Sequence, residues 1–295
     1  MKNILSIDFD FFCKEDPLWD WGHSEKLECD NHVWFHRYVN SNFNLVEEID
    51  PDVNADFAPA DILTKIKEKG FIIKPNTPVC VADSHLKIVD AIQAMHHEFI
   101  PNSWLNIINF DAHHDILYKE PDDEEKNCVD WVYKINCDDW VYKLSLLFGE
   151  KVLYHWVYPC WLEQFGKENI EKDWDRAKHL FFTGSNSLSY SSDVFSFAFR
   201  DFSYKNMLQE IGSHFQVLNE ISINNKIDMI FVCRSSPWVP PHCDAHFNYM
   251  LRKLGVHKKD LLPPRFGDFF PEEAIKELRK KYKGGLKSLC EEFED

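Results

Sequence analysis

Six side chains carrying oxygen or nitrogen arrive in three short clusters, each at the end of an apolar run. The densest cluster is Asn109-Phe110-Asp111-Ala112-His113-His114-Asp115, directly after Leu105 to Ile108. If the chain stays extended there, alternation places Asp111, His113 and Asp115 on one side. Two carboxylates and an imidazole crowded together repel and lose hydration, and a cation removes that penalty. Ser6-Ile7-Asp8-Phe9-Asp10 ends a second apolar run and offers Asp8 and Asp10, set among Phe9, Phe11 and Phe12. Val79-Cys80-Val81-Ala82-Asp83-Ser84-His85 ends a third and supplies His85 as a sixth ligand. A carboxylate-rich set with imidazoles suits Mn²⁺ or a similar divalent ion better than a thiolate site would. Each cluster also has a plainer reading. Paired aspartates can be held by hydrogen bonds, and a single histidine after a strand is commonly structural.

These residues need a scaffold that brings several strand ends together. Buried strands are expected at Ile4 to Ile7, Pro78 to Ala82, Leu105 to Phe110, Val152 to Trp156, Leu180 to Thr183 and Ile227 to Cys233. Helical spacing marks Asp61 to Lys69, stopped by Gly70, and also Leu86 to Glu98, Tyr204 to Asn219 and Pro271 to Lys283. Alternation of the two predicts an α/β fold with three αβα layers and a mostly parallel sheet, covered on both faces. Ligands in such sheets gather at the carboxyl ends of the strands, where all three clusters lie. No repeat or linker divides the chain, so residues 1–295 are read as one domain.

The net charge of -16 disfavours duplex nucleic acid and gives weak support for a cationic substrate or a metal. Nine cysteines without CxxC spacing fit reduced thiols, and no apolar run approaches a membrane span, so a cytoplasmic protein is expected. The acidic run within Lys119 to Lys126 reads as a solvated loop. The ten Trp and 24 Phe fit core packing, or an apolar groove for an extended peptide.

Together the three motifs resemble the ureohydrolases, the arginase and agmatinase superfamily. Asp111-Ala112-His113-His114-Asp115 looks like the family's Asp-Ala-His-x-Asp, and Ser6-Ile7-Asp8-Phe9-Asp10 like its Ser-x-Asp-x-Asp, with Asp16-Pro17 echoing a trailing Asp-Pro. Ala82-Asp83-Ser84-His85 looks like its Gly-Gly-Asp-His, with a shift. The nearer resemblance is to the divergent peptide arginases of ribosomal peptide pathways, over roughly the first 160 residues. Two departures stand out. The Ser-x-Asp-x-Asp segment follows Asp-x-His-x-Asp in arginases and precedes it here, which implies either a circular permutation or an unrelated strand and an incomplete site. Arg234 stands near the position of the arginase glutamate that grips the guanidinium. It would repel a cation, so either another carboxylate takes that role or the substrate differs. Arg234 itself then reads as structural, paired with a carboxylate.

The resemblance implies two Mn²⁺ ions per chain. Asp8 and Asp111 would bridge them, His85 and Asp115 would complete one shell, and His113 and Asp10 the other. An activated water would attack the guanidinium carbon of an arginine residue in a peptide, with Asp115 steering its proton, to give urea and an ornithine residue. The amine needs a proton, for which His155 is the first candidate, with Asp138, Asp139 and His114 behind it; His114 is also read as facing away from the ligands. The competing readings are an agmatinase-like or deacetylase-like C–N hydrolase on a small amine, and a non-catalytic module stabilised by metal. Family members often form homo-oligomers, without a count being fixed here.

Overall fold

The computed structural model describes residues 1–15, 34, 37–38, 40–41, 44–96, 104–116, 139–148, 152–184, 193–214, 223–263 and 265. Six strands form one parallel sheet: β1 (Lys2–Asp8), β2 (Val79–Ala82), β3 (Leu105–Phe110), β4 (Val152–Tyr158), β5 (Asp193–Ala198) and β6 (Ile227–Cys233), in the order β2-β6-β1-β3-β4-β5. The expected three-layer α/β fold is the one observed. β1, β3, β4 and most of β6 are apolar and buried on both faces, as a parallel sheet under two helical layers requires.

Side-chain alternation sorts the helices. One face of the sheet carries Leu5, Ile7, Ile108, Phe110, Leu153, Val157, Ile230 and Val232. It packs under α1 (Ile62–Glu68), α5 (Tyr204–His214) and α6 (Asp244–Lys253) through Ile62 and Ile66, Met207 and Ile211, and Phe247, Met250 and Leu251. The other face carries Ile4, Ile107, Tyr154, Trp156, Met229 and Phe231. It packs under α2 (Lys87–His96), α3 (Trp140–Phe148) and α4 (Lys167–Gly184) through Ile88 and Ile92, Trp140 and Leu144, and Ile170, Trp174 and Ala177.

Two sequence expectations are corrected. Leu180 to Thr183 is not a strand but the last turn of α4. A four-residue apolar run fits either element, and here it continues a helix already begun. The strand in that part of the chain is β5, whose Asp-Val-Phe-Ser-Phe-Ala carries no period-2 alternation. The helix expected over Asp61 to Lys69 is α1, entered by a 3-10 turn at Pro59–Asp61 and closed by Gly70, which takes φ +94° and donates its N–H to Lys67 O. The acidic run at 119–126 and the helix expected at Pro271 to Lys283 lie outside the described residues, as do Asp16, Pro17 and Asp138. Among the described residues no helix is long and apolar enough to cross a membrane.

The topology fixes where a site can form. From β1 the chain leaves toward β2 on one side, and from β3 it leaves toward β4 on the other. The carboxyl ends of neighbouring β1 and β3 therefore flank a crevice at a topological switch point, the usual place for a ligand in an open α/β sheet.

Candidate metal centre

The crevice collects all six residues singled out as ligands. β1 ends at Asp8, and Phe9–Phe12 then turns as a 3-10 helix, capped by Asp8 Oδ1 accepting from Asp10 N at 3.2 Å. β3 ends at Phe110, and the next residues turn as well: Asp111 Oδ1 accepts from His113 N at 2.8 Å, and Asp115 takes φ +52°. Turn geometry, rather than the extended alternation expected from sequence, converges these side chains. His85 arrives from beyond β2, across the end of β6, where its ring stacks on Phe231 with centroids 5.8 Å apart.

His85 Nδ1 is the hub. It lies 3.1 Å from Asp8 Oδ2, 3.1 Å from Asp111 Oδ2 and 2.9 Å from Asp115 Oδ2, all buried. One ring nitrogen has one proton or one lone pair, so it cannot satisfy three carboxylates. Its Nε2 is 2.8 Å from Ser6 Oγ. If Ser6 accepts there, the neutral ring's Nδ1 presents a lone pair to three carboxylates, an arrangement that a cation between them, or uptake of protons, makes favourable.

A second group adjoins it. His113 Nδ1 is 2.9 Å from Asp10 Oδ2 and 3.8 Å from Asp111 Oδ1. Asp111 thus turns one oxygen to each histidine, the posture of a bridging ligand. Asp8, the other expected bridge, turns Oδ2 to His85 and keeps Oδ1 for its cap. Sequence reasoning missed Glu15, which is buried with Oε1 3.5 Å from His113 Nε2.

The surroundings hold these carboxylates in place. Asn109 Nδ2 donates to Asp111 Oδ2 at 2.9 Å and Trp156 Nε1 to Asp111 O at 3.0 Å, while Trp140 Nε1 donates to Asp115 Oδ2 at 2.6 Å. Ala112 N donates to Asp10 Oδ1 at 3.2 Å. Even so, burial and the charges of Asp10 and Asp111 push Asp8 up to about 7. Burial, then Asp115 and Asp10, raise Asp111 well above the carboxylate range, and burial raises Asp115. Burial opposes the charged form of His85, yet Asp111, Asp115 and Asp8 outweigh it and hold the ring well above its ordinary value. Without a cation these groups compete for protons near neutrality. Five buried carboxylates (Asp8, Asp10, Glu15, Asp111 and Asp115) against two divalent ions leave a single negative charge. This donor set, with one imidazole on each side of Asp111, fits a pair of hard or borderline divalent ions.

His155, expected as a proton donor, is not brought here. It sits in the middle of β4 on the opposite face of the sheet, with Leu153 and Val157. Its Nε2 is 2.8 Å from Asn106 Oδ1, its ring stacks on Phe195, and burial lowers it to about 3. A histidine neutral at all ordinary pH values and walled off by a sheet cannot protonate a leaving amine. His114 also faces away: its Nδ1 accepts from Ile116 N, and its Nε2 lies 3.2 Å from Asp173 Oδ2. Asp139 is engaged by Lys143 Nζ at 2.6 Å. Arg234 is structural, in the way its sequence position allowed. It grips Asp83 through Nε at 2.8 Å and Nη2 at 3.0 Å, and it donates Nη1 to Pro263 O.

Comparison of the chain with protein-family models, curated proteins and solved structures finds no match.

Proposed function

We propose that this protein is a two-metal hydrolase of the ureohydrolase kind, which converts arginine residues of a peptide to ornithine residues with release of urea. The observation that carries the reading is the convergence of Asp8, Asp111 and Asp115 on His85 Nδ1, with Asp111 shared toward His113 and Asp10. Six residues from three separate sequence motifs meet there, with Asp111 turned to both histidines and Asp8, which the resemblance implies as a second bridge, turned to His85 alone. β1 lies beside β3, so the earliest motif in the chain reaches the same crevice as the middle one.

Two Mn²⁺ ions, when bound, would supply Lewis-acid activation of a water at neutral pH. Asp8, His85, Asp111 and Asp115 would hold one, and Asp10, Asp111 and His113 the other. Asp115 already gives Oδ2 to His85 and Trp140, which leaves Oδ1 to steer the proton of the attacking water. Its left-handed backbone aims the carboxylate back into the crevice, and such strain is common at working sites. The acidic environment favours a guanidinium over an anionic substrate. Trp238 stands 5.0 Å from the His113 ring and leaves it the more open of the two histidines, which suits a side chain presented from an extended peptide. The acidic chain with its scattered cysteines suits the cytoplasm.

The test is urea release from a panel of arginine-containing peptides, with free arginine and agmatine alongside, in the presence of Mn²⁺. Urea with a matching gain of ornithine in the peptide supports the proposal. No urea from any of them, with Mn²⁺ bound, would overturn it.

A further inference from the structure

Glu15 lies five residues beyond Asp10, just past the 3-10 turn Phe9–Phe12. It is 2 % exposed, and among the described residues neither carboxylate oxygen has a hydrogen-bond partner. Leaving such a group unsatisfied is costly, the more so if it is charged. Native proteins seldom tolerate that without a use for it.

The two nitrogens of His113 face different carboxylates. Nδ1 looks toward Asp10 Oδ2 at 2.9 Å and Asp111 Oδ1 at 3.8 Å, the side on which an ion would sit. Nε2 looks toward Glu15 Oε1 at 3.5 Å. An imidazole that ligates a cation through Nδ1 carries its proton on Nε2, and that N–H needs an acceptor to fix the tautomer and the ring. A shift of a few tenths of an ångström closes the Glu15 contact to hydrogen-bond length. Direct ligation by Glu15 is the less economical geometry, because its near oxygen approaches the nitrogen turned away from the ion.

We infer that Glu15 is a positioning residue, accepting Nε2–H of His113 and thereby holding Nδ1 toward the second ion. The inference rests on the two-ion reading above and adds a residue that the six-ligand set lacks. It also accounts for a carboxylate buried among other carboxylates.

The experiment is calorimetric Mn²⁺ titration of the full chain as wild type, Glu15→Ala and Glu15→Gln. It is paired with ¹⁵N-edited NMR of the His113 ring in the diamagnetic Zn²⁺ form. In Glu15→Ala the second ion should bind about 10–100-fold more weakly, with the first unchanged. Glu15→Gln should recover most of that loss, because its amide oxygen still accepts from Nε2–H, while the Nε2–H signal moves upfield as the charge-assisted bond is lost. The inference is overturned if Glu15→Ala leaves second-ion affinity unchanged, or if Glu15→Gln is as weak as Glu15→Ala, the mark of a direct ligand. Should Glu15→Ala fail to fold, an Nε2–H signal that does not move in Glu15→Gln overturns it equally. A wild type that binds no ion removes the two-ion reading together with this inference. Two ions held regardless of Glu15 would remove the inference alone.

Discussion

Replacing Asp8 by asparagine should make the metal-free protein more stable and the metal-loaded protein less so. Burial and the neighbouring Asp10 and Asp111 raise Asp8 from 3.8 to about 7 in the fold. A raised carboxylate contributes stability that is complete below its unfolded value and is lost as pH climbs through the folded one. A shift of roughly three units corresponds to about 4 kcal/mol at 1.36 kcal/mol per unit. Asp8 shares its protons with His85 and Asp111, so about 2–4 kcal/mol is the range to test. Asparagine does not ionise. Its oxygen can still accept from Asp10 N, and it places no negative charge beside Asp10 and Asp111. Urea unfolding at about pH 8 with chelator should therefore favour Asp8→Asn by that margin, and the gap should close near pH 4. With Mn²⁺ at a hundred times its Kd, the wild type should gain about 2.7 kcal/mol for each site filled, a gain the variant largely forfeits. An Asp8→Asn protein that is less stable than wild type in chelator at high pH, or that keeps the full Mn²⁺ gain, would refute this reasoning.

Other expectations follow from the same geometry. Trp140→Phe removes the N–H that Asp115 Oδ2 accepts, and should weaken first-ion binding about 10–100-fold in a Mn²⁺ titration. His155 is held near 3 by burial, so its contribution is complete above about 6.5 and is lost as pH falls toward 3. His155→Gln should flatten the acid limb of the stability profile, by at most about 4–5 kcal/mol, and leave metal content and any turnover near neutrality unchanged. Arg234→Met breaks the two-pronged grip on Asp83, whose carboxylate is half-exposed, and should cost about 1–3 kcal/mol in urea unfolding without changing the number of ions bound.

The six candidate positions were legible because each cluster follows an apolar run that reads as a strand, and polar groups at the carboxyl ends of such strands face the crevice. How they converge was not legible. The alternation rule put Asp111, His113 and Asp115 on one side, whereas turns after Asp8 and Phe110 do that work. Glu15 was hidden because Lys14-Glu15-Asp16-Pro17 reads like any solvated loop, and only the apolar Phe11-Phe12-Cys13 before it hints at burial. His155 carried its own correction. Alternation along Val152–Tyr158 puts it with Leu153 and Val157, away from Tyr154, Trp156 and the ligands. A structural role for Arg234 follows from its charge beside so many carboxylates, but its partner Asp83 lies 151 residues away and no local pattern could name it. Leu180 to Thr183 misled because so short an apolar run holds no period to read.

The central claim is that a pair of divalent ions belongs between His85 and His113 with Asp111 between them. Crystals grown with Mn²⁺ and measured at the manganese absorption edge test it directly. The account predicts two anomalous peaks about 3.5–4 Å apart, one beside His85 Nδ1 and one beside His113 Nδ1. Crystals whose anomalous map is blank at Asp111, or whose ions lie elsewhere on the chain, would contradict it.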